Sequence, residues 1–219
     1  MSSFPGSPQL VKGGLVLIDP ETAAIRRVIT LQYNPDSLQR TLQVQGAGEG
    51  GGARSEALRL KGPAVETLKL EAEIDAADQL ELPDQNANTV ALGIHPQLAA
   101  LETLVNPTAA DLSAHQALAA AGTIEILPTE APLALFVWSR QRIVPVRVTE
   151  LSVTEEAFDP ALNPIRAKVS LGLRVLTVDD VGFGHRAGDL FMSYLRGREQ
   201  LVARAPAGTL SSFGIGGIP

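Results

Sequence analysis

From Ile165 to Val175 every second residue is apolar: Ile165, Ala167, Val169, Leu171, Leu173 and Val175. Arg166, Lys168, Ser170, Gly172 and Arg174 stand between them. Period two over so long a run predicts a strand with one dry face and one wet face. The preceding run, Ile143 to Glu156, is also rich in β-formers, but its apolar phase changes. Val144, Val146 and Val148 fall in one phase, Leu151 and Val153 in the other. A strand cannot switch face without an extra residue, so a β-bulge or strong bend is predicted at Thr149–Glu150. Between the two runs, Asp159-Pro160 and Asn163-Pro164 stop the ladder and turn the chain, which predicts a long hairpin with a wide connection. A second clean alternation lies in Pro63 to Ala76. There Leu68, Leu70, Ala72 and Ile74 face one way, and Thr67, Lys69, Glu71, Glu73 and Asp75 the other.

The remaining segments read more weakly. Leu15–Ile18, the turn Asp19-Pro20-Glu21-Thr22 and Ile25–Tyr33 make a hairpin, ended by Asn34-Pro35, with Leu38–Gln45 a further extended piece. Gly46 to Gly52 is a flexible loop by composition; no Lys-Ser/Thr pair follows it, as a phosphate-cradling loop requires. Ala77–Leu92 is polar and irregular. Pro96–Val105 carries Leu98, Leu101, Leu104 and Val105 at helical spacing, and Asp111–Ala121 forms a second short helix, capped by Asp111 and closed by Gly122. Thr123–Leu127 and Leu133–Trp138 are strands. Asp189–Ala205 reads as an amphipathic helix, with Leu190, Phe191, Tyr194, Leu195, Leu201 and Val202 on one side and Arg196, Arg198 and Arg204 on the other. In the Gly-rich, apolar tail, Pro206–Pro219, the hydrophobes Phe213, Ile215 and Ile218 would suit a frayed end poorly and point to docking on another chain. The reading is a mainly β, α+β chain: an arm at 1–14, a β domain at 15–178 with a helical insertion at about 94–122, and a helix with an apolar tail at 179–219.

Composition narrows the function classes. At 45 % apolar and 4 % aromatic the 219 residues can bury a core, built from Leu, Val, Ile and Ala. A net charge of −6 disfavours nucleic acid as a partner. With no cysteine, disulfides, thiolate metal sites and cysteine nucleophiles are excluded. The N-terminus lacks a signal-peptide pattern and no apolar run approaches a membrane span, so the expectation is a soluble, cytoplasmic protein without direct membrane insertion. His95, His115 and His185 are isolated in sequence and are expected at the surface or as caps. The acidic row Glu71, Glu73, Asp75 is a solvated face, because residues two apart on a strand do not converge on a metal. No serine sits in a nucleophile elbow, and Asp179-Asp180 fits a strand-end turn. The expectation is no catalytic residue, no cofactor and no metal: not an enzyme. An alternative is a carbohydrate- or small-ligand-binding β-module around Trp138, Arg140 and Arg142.

Tyr33-Asn34-Pro35 followed by Leu38, the Gly-rich loop, Glu66–Asp75 and the stretch Val146–Leu176, with Phe158, Pro164, Arg166, Ala167, Val169 and Leu171 at matching positions, resemble the tube-protein family of contractile injection systems. That fold also forms the N-terminal domain of LysM-containing baseplate proteins. The resemblance covers about Leu15 to Val178. It implies a phage-tail-tube-like β-barrel or sandwich and a structural role: a ring, usually hexameric, joining the inner tube to the spike hub of the baseplate. Implied partners are copies of the chain itself, inner-tube proteins, the spike or hub protein and other baseplate subunits. The implied location is the cytoplasm, within a phage-tail-like particle. Gly188-Asp189-Leu190 echoes a LysM start only faintly and too little chain follows. Subunit-interface candidates are Asn34, Pro35, Phe158 and Arg166, from the matching motifs, and Leu190, Tyr194, Phe213 and Ile215, from the helix and tail.

Overall fold

In the computed structural model, residues 11–46, 59–122 and 132–218 are described. Seven strands form one antiparallel sheet: β1 (Gly14–Ile18), β2 (Ile25–Thr30), β3 (Leu38–Gln43), β4 (Val65–Asp75), β5 (Leu133–Ser139), β6 (Arg142–Phe158) and β7 (Pro164–Val175). Their spatial order is β2-β1-β5-β6-β7-β4-β3, with β2 and β3 unjoined at the two ends, so the sheet is not closed. Between β4 and β5 come α1 (Ala77–Leu80), a 3-10 turn at Pro83–Gln85, α2 (Ala87–Leu92), α3 (His95–Glu102) and α4 (Ala109–Ala120). After β7 follow α5 (Val178–Val181), α6 (Arg186–Val202) and a 3-10 turn at Leu210–Phe213. The mainly β, α+β reading holds.

The two alternating runs become neighbours. β4 and β7 pair from Thr67↔Arg174 to Asp75↔Arg166, so Leu68, Leu70, Ala72 and Ile74 lie beside Leu173, Leu171, Val169 and Ala167. All but the half-buried Ile74 are buried. The bulge falls as expected: the β6–β7 register shifts between Val148 and Glu150. The extra residue keeps Val148 opposite Leu173 and places Leu151 and Val153 opposite Leu171 and Val169, so both apolar phases of β6 share the dry face. Gly172 faces the bulge, where a Cβ would stand 3.0 Å from that of Glu150. Pro164 begins β7, opposite Phe158, so the connection is shorter than expected. Asp159 holds it by accepting from the N–H groups of Ala161 and Asn163 and from the Asn163 side chain, all at 2.8 Å. Those bonds, that of the Asn163 side chain first, hold the Asp159 carboxyl below its ordinary range.

The main core joins this dry face to Leu15 and Leu17 of β1, Phe136 of β5, Val144 and Val146 of β6, and Ile94, Leu98 and Leu101 from the insertion. Burying each such side chain is worth roughly 1.5–3 kcal/mol. α6 meets both sheet faces. Phe191 and Tyr194 join the main core, whereas Ala187 and Leu190 pack with Ile18, Leu133 and Leu135.

Several expectations are corrected. Helical structure begins at Ala77, not near residue 94, because the 77–92 segment folds into short helical turns whose Leu80 packs on the core. α4 is capped by Thr108, whose hydroxyl accepts from the Asp111 N–H; Asp111 sits in the first turn and completes the reciprocal capping box. β2 ends at Thr30 rather than Tyr33: the Leu31 N–H still bonds the Gly13 carbonyl, after which the Gln32 side chain bonds Asp75 and the Asn34 side chain bonds Gly13 and Val11. The arm is shorter than residues 1–14, because Gly13 and Gly14 are buried and Gly14 begins β1. α6 ends at Val202, with Leu201 and Val202 exposed instead of inward. The strand expected at Thr123–Leu127 and most of the Gly-rich loop lie outside the described residues.

Candidate functional site

Four stretches of strand edge lack a strand partner among the described residues, one of them the outer edge of β3 at the end of the sheet. β5 pairs with β6 only as far as Ala134↔Val146, so Arg147 to Phe158 is open on that side. β3 pairs with β4 only from Val65 to Leu70, so the Glu71–Asp75 half of β4 is open. β2 has β1 on one side only. Open edges present unpaired N–H and C=O groups and invite another chain.

The open edges of β2 and β4 border one groove of about 910 Å³. Its lining includes Val28, Ile29 and Leu31 from the β2 side, Ala72 and Ile74 from β4, and Leu101 from α3. At one end the groove is bridged by a side chain. Gln32 Nε2 donates to the Asp75 carbonyl at 2.7 Å, and Gln32 Oε1 accepts from the Asp75 N–H at 2.9 Å. The carboxamide makes the pair of bonds that a neighbouring strand's peptide groups would make. Gln97, on the groove wall, has a buried Oε1 without a hydrogen-bond partner.

On the wet face, Arg166 bonds Asp75 at 2.7 Å and approaches Glu73 at 4.0 Å; Lys168 meets Glu156 at 3.0 Å and Lys69 meets Glu150 at 3.9 Å. Exposed pairs of this kind each contribute about 1 kcal/mol or less. The Ala77 N–H, with Arg166 as a further contributor, holds the Asp75 carboxyl below its ordinary range. Among the described residues no group of three or more His, Asp or Glu is placed to hold a metal ion.

At the far end of β4, Glu66 is buried at 3 % exposure. Its carboxylate faces Arg40 Nε at 3.2 Å and Arg198 Nη1 at 3.5 Å, and accepts from the Tyr194 hydroxyl at 3.3 Å. The Arg198 guanidinium also lies over the Tyr194 ring. Burial, then the Glu66 charge, raises the Tyr194 pKa. Arg198, expected on the outer basic side of the helix, thus turns inward and helps fasten α6 to β4. The sequence did carry a signal for Glu66: it occupies the apolar phase of β4, two residues before Leu68.

The interface candidates scatter. The Asn34 side chain accepts from the Gly13 N–H and donates to the Val11 carbonyl, each at 2.8 Å, tying the start of the chain to the loop after β2. Pro35 beside it is half-buried. Arg166 is engaged by Asp75, and Tyr194 is buried within its own chain. Leu190 packs partly buried against the smaller cluster. Phe158, Phe213 and Ile215 stand exposed. Trp138 stacks on Phe136 with ring centroids 5.8 Å apart; neither it nor Arg140 nor Arg142 lines the groove. His185 caps α6 by accepting from the Ala187 N–H. The Asp179-Asp180 pair lies in α5, where Asp180 completes a capping box with Thr177. Among the described residues no helix is long and apolar enough to cross a membrane. Neither a family model nor a curated protein matches this chain.

Proposed function

We propose that this protein is a non-enzymatic structural subunit of a contractile, phage-tail-like particle: a ring, hexameric by its resemblance, that adapts the inner tube to the spike hub. The resemblance supplies the particle, the tail-tube-like fold and the partners; one structural observation supports an assembling role. The β6 strand runs for 17 residues, and its outer edge from Arg147 to Phe158 has no strand beside it among the described residues. A long unpaired edge is a hazard in a monomer and an asset in a subunit. Ring closure needs two different patches per subunit, and the β6 edge and the β2–β4 groove are two such patches.

The test is microscopy of particles from a strain lacking the gene. Missing or aberrant tube-to-spike junctions are the expected result; normally assembled, functional particles would refute the role. Native mass spectrometry of the purified chain with its tube and spike neighbours then reports the ring's stoichiometry.

A further inference from the structure

The groove between β2 and β4 is closed at one end by a single side chain, Gln32, bonded to the Asp75 main chain. An extended glutamine side chain carries its amide about 4–5 Å from its own main chain. The amide then sits one strand spacing, about 4.8 Å, from the strand it bonds. The reach of the side chain sets the main chains of Gln32 and Asp75 at most about two spacings apart, and the Gln32 carboxamide takes the two bonds that a peptide group of an added strand would make. Beyond Asp75, β4 continues as Glu73 and Glu71 with no neighbour on that side. The opposite wall is β2, also unpaired there. The floor is apolar, and Gln97 Oε1 is a buried acceptor awaiting a donor.

The chain carries a segment suited to this slot. In Phe213-Gly214-Ile215-Gly216 large apolar residues alternate with glycine, so in extended form one face is apolar and the other bare backbone. No ionisable side chain occurs between Ala205 and Pro219, so burying this segment desolvates no charged side chain. In the structure Phe213 and Ile218 are 77 % and 79 % exposed, and Leu210–Phe213 forms a 3-10 turn outside the groove. Gln32 already takes the main-chain groups of Asp75, which leaves Glu71–Ile74 open on that edge, and the extended segment Ser212–Gly216 is long enough to cover it.

We propose that residues Ser212–Gly216 of a second copy insert between β2 and β4 as an added strand, with Phe213 and Ile215 on the groove floor and the main chain paired to Glu71 and Glu73. Gln32 marks the end of the inserted strand. This rests on the reading of the chain as a self-assembling subunit and names the contact that links one copy to the next.

The chain has no cysteine, so a disulfide between introduced thiols reports the contact without background. Full-length chains carrying Glu71→Cys or Glu73→Cys together with Gly216→Cys are oxidised mildly and run unreduced. Glu21→Cys with Gly216→Cys, on an exposed turn, is the control. The expected result is intermolecular cross-linking well above the control for position 71 or 73, abolished by Phe213→Asp with Ile215→Asp. Cross-links confined within single chains would place the tail in its own groove and overturn the second-copy contact. Cross-linking no greater than the control would overturn the insertion altogether. Microscopy of the same samples separates the two readings: rings without these cross-links sink the insertion alone, and cross-linked chains that never close or join a particle sink the ring alone.

Discussion

Replacing Glu66 by Gln removes one negative charge while keeping the shape of the side chain and an oxygen for Tyr194. The carboxylate is 4 % exposed, and the arginines facing it at 3.2 and 3.5 Å are 27 % and 35 % exposed. Removing one partner of a fully buried pair costs about 3–5 kcal/mol. A fully exposed pair contributes about 1 kcal/mol or less. Here the acid is dry and the bases are partly wet, so the cost lies between, at about 2 kcal/mol for Gln and about 3 kcal/mol for Ala, which also leaves the tyrosine hydroxyl without its acceptor. In a chain of this size 2 kcal/mol lowers Tm by roughly 4–8 °C. Calorimetry on Glu66→Gln beside the exposed control Glu71→Gln measures it, the control being expected within about 0.5 kcal/mol of the parent. Hydrogen exchange should rise selectively in α6, which the cluster fastens to β4. Indistinguishable Tm values for the two variants would refute the claim that this buried carboxylate holds the helix.

Other outcomes follow from single features. Gly93 has φ +56° and its Cβ position lies 2.3 Å from the Pro164 carbonyl oxygen, so Gly93→Ala should lose about 3 kcal/mol or more in denaturant unfolding. The Asp75 carboxyl is held below its ordinary value of 3.8, so its contribution is present above that value and is lost as pH falls through the folded pKa. Unfolding midpoints measured from pH 5 downward should therefore decline less steeply for Asp75→Asn than for the parent. The Tyr194 phenol is raised above 10.0, so its contribution is present below pH 10.0 and fades as pH rises through the folded pKa; the loss of stability above pH 10.0 should shrink in Tyr194→Phe. Thr108→Ala removes the cap of an otherwise exposed helix, and exchange in α4 should rise by an amount equivalent to about 1 kcal/mol with the core unchanged.

Period-two patterning by itself determined β4, β7, their dry faces and the bulge of β6, because each is a property of neighbouring residues on one strand. It could equally have shown that Glu66 stands in a dry phase, but not which cations would meet it there. Arg40 and Arg198 reach Glu66 from elements separate in sequence. It took the packed chain to show that Gln32, just after β2, bridges to Asp75 of β4 across 43 residues, that Tyr194 is an internal anchor, and that the sheet stays open. Alternation fixes which way a side chain points along its own strand; which strands become neighbours, and which edges find none, depends on the packing of the whole chain.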